Sequence, residues 1–270
     1  MIRPRAVAPG IELFPARTVT LPPATHTNSY ALGRAQVLLV EPATPFEDER
    51  RAWLEWARAL AGNGRILVGI FATHHHLDHA SSASLFAREL TLPLFVHPIT
   101  RARVRELDGV LVHEIDEGHR FGGFVALFTP GHAPGHLCLH DAESRTLVAG
   151  DMVANGSTIV IPPDDGGDMT EYLAQLERLD ALSTTLVLPA HGEPIDDPHA
   201  LFRHYIEHRL MREGKVLAAH HRLLGELGRA PTVAEMVPIV YHDTPAHVWP
   251  LAMSALEAHL IKLRREGRVA

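Results

Sequence analysis

Residues 65–80 read RILVGIFATHHHLDHA: an apolar run, then four histidines and one aspartate within six positions. The apolar half has the composition of a buried strand, and SASLFAREL (82–90) follows with a helical pattern. The polar half therefore occupies a loop between a strand and a helix. A loop at a strand end can turn alternate side chains into one cavity, as an intact strand or helix cannot. His74, His76, Asp78 and His79 have the spacing H-x-H-x-D-H. Imidazole and carboxylate together suit borderline divalent cations such as Zn²⁺. This stretch alone leaves a solvated histidine tract open as the bland alternative.

The pattern on either side sets the fold class. TPFE (44–47) predicts a helix start, with Thr44 as cap, Pro45 in the first turn and Glu47 closing a capping box. Trp53, Trp56, Ala57 and Leu60 continue at helical spacing until GNG at 62–64. LPLFVH, VLVHEI, FVALFT, LCLHD, TLVAGDM and TTLVLPA predict short strands, and Leu173, Leu176, Leu179 and Leu182 predict one more helix. Strands and helices thus fall into two batches, about 25–115 and 119–197. Such a pair predicts two packed sheets with helices outside, an α/β layered domain over residues 1–197. From Pro198 the pattern is helical throughout: one long helix with Asp197 expected to cap it, a second opening at the capping box TVAE (232–235), and a third from Pro250. Residues 198–270 read as a small appended all-α domain.

Composition bounds what such a protein does. Of 270 residues, 46% are hydrophobic and 21% charged, as in ordinary globular chains, and 20 are histidine. The single cysteine, Cys138, excludes an intramolecular disulfide and reads as a small buried strand residue rather than a nucleophile. That usage fits a reducing cytoplasm. No stretch approaches the roughly 18 apolar residues of a membrane span, and the N-terminal segment lacks a signal-peptide core. The formal charge of −7 divides unevenly: residues 1–199 hold 15 Lys+Arg against 25 Asp+Glu, and residues 200–270 hold 10 against 7. An acidic body argues against tight polynucleotide binding, which needs a positive surface that releases counterions.

Three more polar residues stand directly after predicted strands: His132 in FVALFTPGHAPGH, Asp151 in RTLVAGDM and His191 in TTLVLPAHG. Donors gathered from strand-terminal loops at one sheet edge sit on a stiff scaffold. With the early cluster they make seven candidate ligands, enough for two metal ions that share one carboxylate. His75 lies between ligands and is expected to point away, and His136 to orient a ligand. His204 and His208, four apart on a helix, read as a helix face. The acidic run PPDDGGD (162–168) reads as a turn and helix cap.

The set H-x-H-x-D-H, TPGHAPGH, AGD and PAHG resembles the metallo-β-lactamase superfamily over about residues 18–197, with all seven ligand positions filled in order. The resemblance implies a four-layer αββα sandwich. It implies that His74, His76 and His132 hold one metal, that Asp78, His79 and His191 hold the second, and that Asp151 bridges them. The ions implied are two divalent cations, Zn first, with Mn or Fe as alternatives. One departure is ASSAS (80–84) where relatives often carry two glycines. The tail, from YIEHRLMREGKVL to EGRV, resembles the winged-helix-type domain of the β-lactamase-like protein 2 group, with the β-wing reduced.

From this follows an expected metal-assisted hydrolysis. A water shared by two cations loses its proton near neutral pH and attacks an activated carbon or phosphorus, and Asp78 relays a proton to the leaving atom. No serine nucleophile motif of the GxSxG kind is present. The group implies two substrate classes, thioesters of acyl carriers and single-stranded RNA. The acidic body favours a small or carrier-bound ester or thioester. A ribonuclease instead requires a positive stripe running from Arg203, Arg209, Arg212, Lys215, Lys262, Arg264 and Arg265 toward the metals. A non-catalytic, metal-stabilised regulator is the third alternative. An oligomer is compatible with the helical tail, and a mononuclear iron dioxygenase with the residue set. Only 18 residues separate His132 from Asp151 and 39 separate Asp151 from His191, which excludes a large inserted nucleic-acid clamp.

Overall fold

The computed structural model describes residues 4–269. The chain forms two compact units: residues up to 129, 135–157 and 183–198 make the first; residues 130–134, 158–182 and from 199 onward make the second.

The first unit contains both sheets. The larger has seven strands side by side in chain order: β1 (Arg5–Ala8), β2 (Ile11–Arg17), β3 (His26–Leu32), β4 (Gln36–Val40), β5 (Ile66–Phe71), β6 (Leu94–Val96) and β7 (Val112–Glu114). The first four pair antiparallel, and β4 through β7 pair parallel. The smaller sheet runs from β8 (Arg120–Phe121) through β9 (Phe124–Phe128), β10 (Leu137–Asp141) and β11 (Thr146–Gly150) to β12 (Leu186–Pro189). It is antiparallel except for the parallel pair β11 and β12. Side chains from both sheets share one buried cluster, with Leu13, Tyr30, Leu38 and Phe71 from the first and Ala126, Leu137, Leu139 and Val148 from the second. The other face of the larger sheet is covered by α1 (Glu47–Gly62) and α3 (Ala83–Leu90). There Trp53 stacks on Phe86 at 4.0 Å and donates its indole N–H to Ser29. Two single turns, α2 (Leu77–Ala80) and α4 (Pro98–Arg101), complete the unit.

Two local expectations change. The N-terminal cap of α1 is Phe46 and makes no side-chain cap bond; Thr44 accepts only the Phe46 N–H, at 3.3 Å, so the predicted box at 44–47 does not form. Pro45 cannot donate, and the chain stays extended one residue longer before the helix turns. The strands also begin earlier than residue 25. β2 carries Pro15, which stands opposite Asn28 of β3.

The second unit holds α5 (Met169–Asp180), α6 (Pro198–Leu227), α7 (Val233–Val240) and α8 (Trp249–Arg265). Asp168 caps α5 by accepting from Thr170 N–H at 2.8 Å and Glu171 N–H at 3.2 Å, and Arg265 of α8 pairs with the same carboxylate. The acidic run is therefore a short 3-10 turn and a cap, as its composition predicts. The box at Thr232 and Glu235 forms with both reciprocal bonds. Val216, Ala219 and Leu223 of α6 pack with Val237 and Val240 of α7 and with Leu256, Leu260 and Leu263 of α8.

Candidate metal centre

Parallel pairing decides where the polar loops meet. Because β4 and β5 run the same way, Glu41 after β4 and His74 after β5 leave one edge of the larger sheet together. β11 and β12 do the same in the smaller sheet for Asp151 and His191, and β9, two antiparallel steps from β11, ends at that edge as well.

In the first unit, ligating atoms of His74, His79 and Asp151 lie within 4.8 Å of one another, and so do those of Asp78, His79 and His191. His74 Nε2 faces His76 Nδ1 at 2.9 Å. The oxygens stand at 3.4 Å (Asp151 to His191), 3.5 Å (Asp151 to His79) and 3.5 Å (Asp78 to His191) from imidazole Nε2. Tetrahedral bonds of about 2.0–2.2 Å place donor atoms about 3.3–3.6 Å apart, so these are the edge lengths of a coordination polyhedron. His79 is wholly buried, and carboxylates face both its ring nitrogens, Glu41 at 3.1 Å on Nδ1 and Asp151 at 3.5 Å on Nε2. Burial by itself depresses the His79 pKa, but Asp151, Glu41 and Asp78 outweigh it and hold the imidazole well above its ordinary value. A field that favours a proton there favours a divalent cation equally. The residues fit the metals implied by the motif.

Three of these imidazoles, His74, His79 and His191, are faced on Nδ1 by a polar group. His191 Nδ1 bonds to the His26 carbonyl at 3.0 Å, and His74 Nδ1 meets Thr73 Oγ1 at 2.9 Å. His79 Nδ1 stands 3.1 Å from Glu41 Oε1. His136 accepts the Asp151 N–H at 3.1 Å on Nε2 and meets Thr129 Oγ1 at 2.8 Å on Nδ1, the orienting role expected of it. His75 turns aside to Arg103 at 3.0 Å. Two serines of ASSAS donate to backbone: Ser82 to the Pro42 and Thr44 carbonyls, and Ser84 to the Arg105 carbonyl at 2.8 Å. Cys138 is buried between Thr129 and the Ala149 carbonyl, without access to a substrate.

His132 lies in the segment 130–134, which groups with the second unit. Its Nδ1 bonds to the Val160 carbonyl at 2.7 Å. Glu41 is the residue that motif spacing misses. Its signal was present: a lone acid directly after an apolar strand, as for Asp151.

A model described as the metallo-beta-lactamase superfamily matches residues 22–191, more than half of the chain, and one described as the beta-lactamase associated winged helix domain matches 232–270. The chain belongs to the metallo-β-lactamase superfamily. Within that superfamily it is of the β-lactamase-like protein 2 type. A protein of that name from Drosophila melanogaster is 33% identical over 267 residues, covering 90% of this chain and 84% of the relative. The atrochrysone carboxyl ACP thioesterase of Aspergillus fumigatus is 26% identical, covering 82% and 70%. A metallo-beta-lactamase family protein from Thermus thermophilus superposes with a TM-score of 0.76 at 24% identity over 97% of this chain and 95% of its own, a likeness of fold. The αββα class, the helical winged-helix-like tail and membership among the metal-dependent hydrolases follow. No helix among the described residues is long and apolar enough to cross a membrane.

Proposed function

We propose that this metallo-β-lactamase-fold chain hydrolyses a small or carrier-bound thioester or ester at a two-metal centre. His74, His76 and His132 would hold one cation, Asp78, His79 and His191 the other, and Asp151 both. Divalent ions there, zinc in the first instance, would polarise the carbonyl and acidify water near neutral pH. The chain's own part is to fix the ligands through Glu41, His136 and the His26 carbonyl, and to move a proton to the leaving group. Asp78, 17% exposed at its side chain where His79 is wholly buried, is the carboxylate placed to do so.

The observation that carries this proposal is the cluster of donors at polyhedral spacing around Asp151. The substrate class rests on the thioesterase-named relative; beside His191 lies a cleft of about 300 Å³ whose lining mixes Leu13, Pro15, Pro23 and Ala24 with Arg5, Asn28 and Glu193. Such a volume suits a small acyl group. The tail cations favour the same substrate over RNA. Arg212 and Lys215 are held by Asp243 at 2.8 Å each, Lys262 by Glu213 at 2.8 Å and Glu266 at 2.7 Å, Arg265 by Asp168, and Arg209 by the Ile159 carbonyl. Five of the seven cations a ribonuclease stripe requires are thus engaged within the tail's own unit.

The test is metal analysis of the purified protein together with parallel hydrolysis assays on acyl thioesters, lactones and single-stranded RNA. Two equivalents of metal and preferential thioester cleavage are expected, with Asp78→Ala lowering that activity by at least about a thousandfold. RNA cleavage lost in the same variant, with thioesters untouched, would replace the proposed substrate.

A further inference from the structure

Residues 189–192, PAHG, run from the end of β12 into the loop that carries His191. All four of their backbone carbonyls are bonded. The Pro189 carbonyl accepts Asn28 Nδ2–H at 3.0 Å and the Tyr30 hydroxyl at 2.7 Å. The Ala190 carbonyl accepts the Asn28 backbone N–H at 2.8 Å, and the Gly192 carbonyl accepts Asn28 Nδ2–H at 2.7 Å. The His191 carbonyl accepts the Asn155 N–H at 3.0 Å. Asn28 alone therefore serves three of the four. A primary amide carries two N–H donors on one nitrogen, and here they reach carbonyls on either side of the ligand.

Asn28 belongs to the other sheet. Alternation along β3 puts His26, Asn28 and Tyr30 on one face and Thr27 and Ser29 on the opposite one. Tyr30 lies in the buried cluster that both sheets share, so its face is the one turned toward the smaller sheet. Asn28 is 5% exposed, and the His26 carbonyl meets His191 Nδ1 at 3.0 Å. Asn155 closes the far side of the segment. Gly192 has a φ of 85°, and a Cβ there would stand 2.3 Å from the Asn155 carbonyl oxygen.

Where the donors of the second cation start gives this contact its consequence. Asp78 and His79 follow β5 of the larger sheet, whereas His191 follows β12 of the smaller. The 3.5 Å between Asp78 and His191 Nε2 is thus set by the register of one sheet on the other. Apolar packing between sheets is non-directional, while metal ligation tolerates only about 0.2 Å around its bond length. Hydrogen bonds, which are directional, supply the missing precision. We propose that Asn28 is the positioning residue of the second metal position: from β3 it ties the His191 segment to the sheet that carries Asp78 and His79, with the Tyr30 hydroxyl in support. The inference rests on the two-metal reading above and deepens it. The first position, assigned to His74, His76 and His132, has no ligand on this segment and is indifferent to Asn28.

Chelator competition on the full-length, zinc-loaded protein tests it, read as the affinity of each of two equivalents. Asn28→Ala should weaken one equivalent about 10–100-fold and leave the other unchanged. Tyr30→Phe, which removes one oxygen and keeps the ring, should weaken the same equivalent about 2–10-fold; it decides the matter should Asn28→Ala not fold by circular dichroism. Thr27→Val is the control for an ordinary structural loss, since Thr27 is also buried and bonds on the opposite face to Thr18 at 2.9 Å. It should leave both equivalents unchanged. On the metal-free protein, the Asn155 N–H should exchange with solvent at least about tenfold faster in Asn28→Ala than in wild type. Equal weakening of both equivalents, equal losses in Thr27→Val, or full retention in Asn28→Ala would overturn the proposal. A wild type that binds a single equivalent would instead overturn the two-metal reading, and the tie from β3 then stands or falls on the exchange rate.

Discussion

The carboxylate of Glu41 accepts the Thr73 hydroxyl at 2.6 Å and stands 3.1 Å from His79 Nδ1, on a residue whose φ of 56° is left-handed. Such a backbone costs a residue with a side chain about 1 kcal/mol or more, and here it turns the carboxylate inward beneath the ligand loop. A carboxylate behind a ligating imidazole fixes its tautomer and raises its basicity. Glu41→Gln keeps the size and an accepting oxygen but removes the charge. It is expected to weaken metal retention roughly 10–100-fold in a chelator competition while leaving the metal-free fold intact; unchanged retention would make Glu41 a packing residue only. Gly150 meets a steric demand at the same place. With φ at 50°, a Cβ there would stand 2.4 Å from His136 Nε2 and 2.9 Å from Thr73 Oγ1. Gly150→Ala should therefore cost about 2–4 kcal/mol in urea denaturation and displace the ring that holds the Asp151 backbone.

Helix starts show how the same residue types succeed or fail with their surroundings. At α7, Thr232 accepts the Glu235 N–H at 3.3 Å and Glu235 returns to the Thr232 N–H at 2.8 Å, with Arg229 bound to the same carboxylate. At α1, Glu47 extends into solvent with only a loose contact to Arg51 at 3.7 Å. Thr232→Ala should accordingly destabilise the protein by about 1 kcal/mol. Glu47→Gln should fall within about 0.5 kcal/mol of wild type in the same thermal or urea melts. The difference lies in Pro45: it commits the preceding residue to an extended backbone and moves the first helical turn out of Thr44's reach.

At the scale of the whole molecule, acid is the revealing variable. Burial lowers the pKa of His220 and His259, and burial with Arg209 and Arg212 nearby pushes His208 down to about 4. A histidine whose folded pKa lies below its unfolded value near 6.5 binds fewer protons when folded. Its contribution is present above that value and lost as pH falls from about 6.5 toward 4. Glu213 is pushed down to about 2 by His259 and, despite its burial, by Lys262. Since burial disfavours a charge on His259, the Lys262 ammonium at 2.8 Å is the durable partner. The Glu213 contribution is present above about 4.5 and lost toward pH 2. Urea midpoints should therefore fall in two stages on acidification, and His208→Asn should flatten the upper one. A flat profile between pH 6.5 and 4 in the wild type would refute this.

Much of the molecule was legible from residue order. Strand and helix periods are local properties of the chain, and a donor placed directly after an apolar run can be read one loop at a time. His74, His76, Asp78, His79, Asp151 and His191 were all read as candidate donors in that way, and the seven-position pattern pointed to the family. Register and chain reversal are not local. That Glu41 stands behind His79, thirty-eight positions later, follows from the parallel pairing of β4 with β5. That most tail cations are already neutralised follows from how α6, α7 and α8 pack. Sequence determined which donors exist and at which strand ends; tertiary structure decided what aims them and which charges are left exposed, because hydrogen bonds and ion pairs form between neighbours in space.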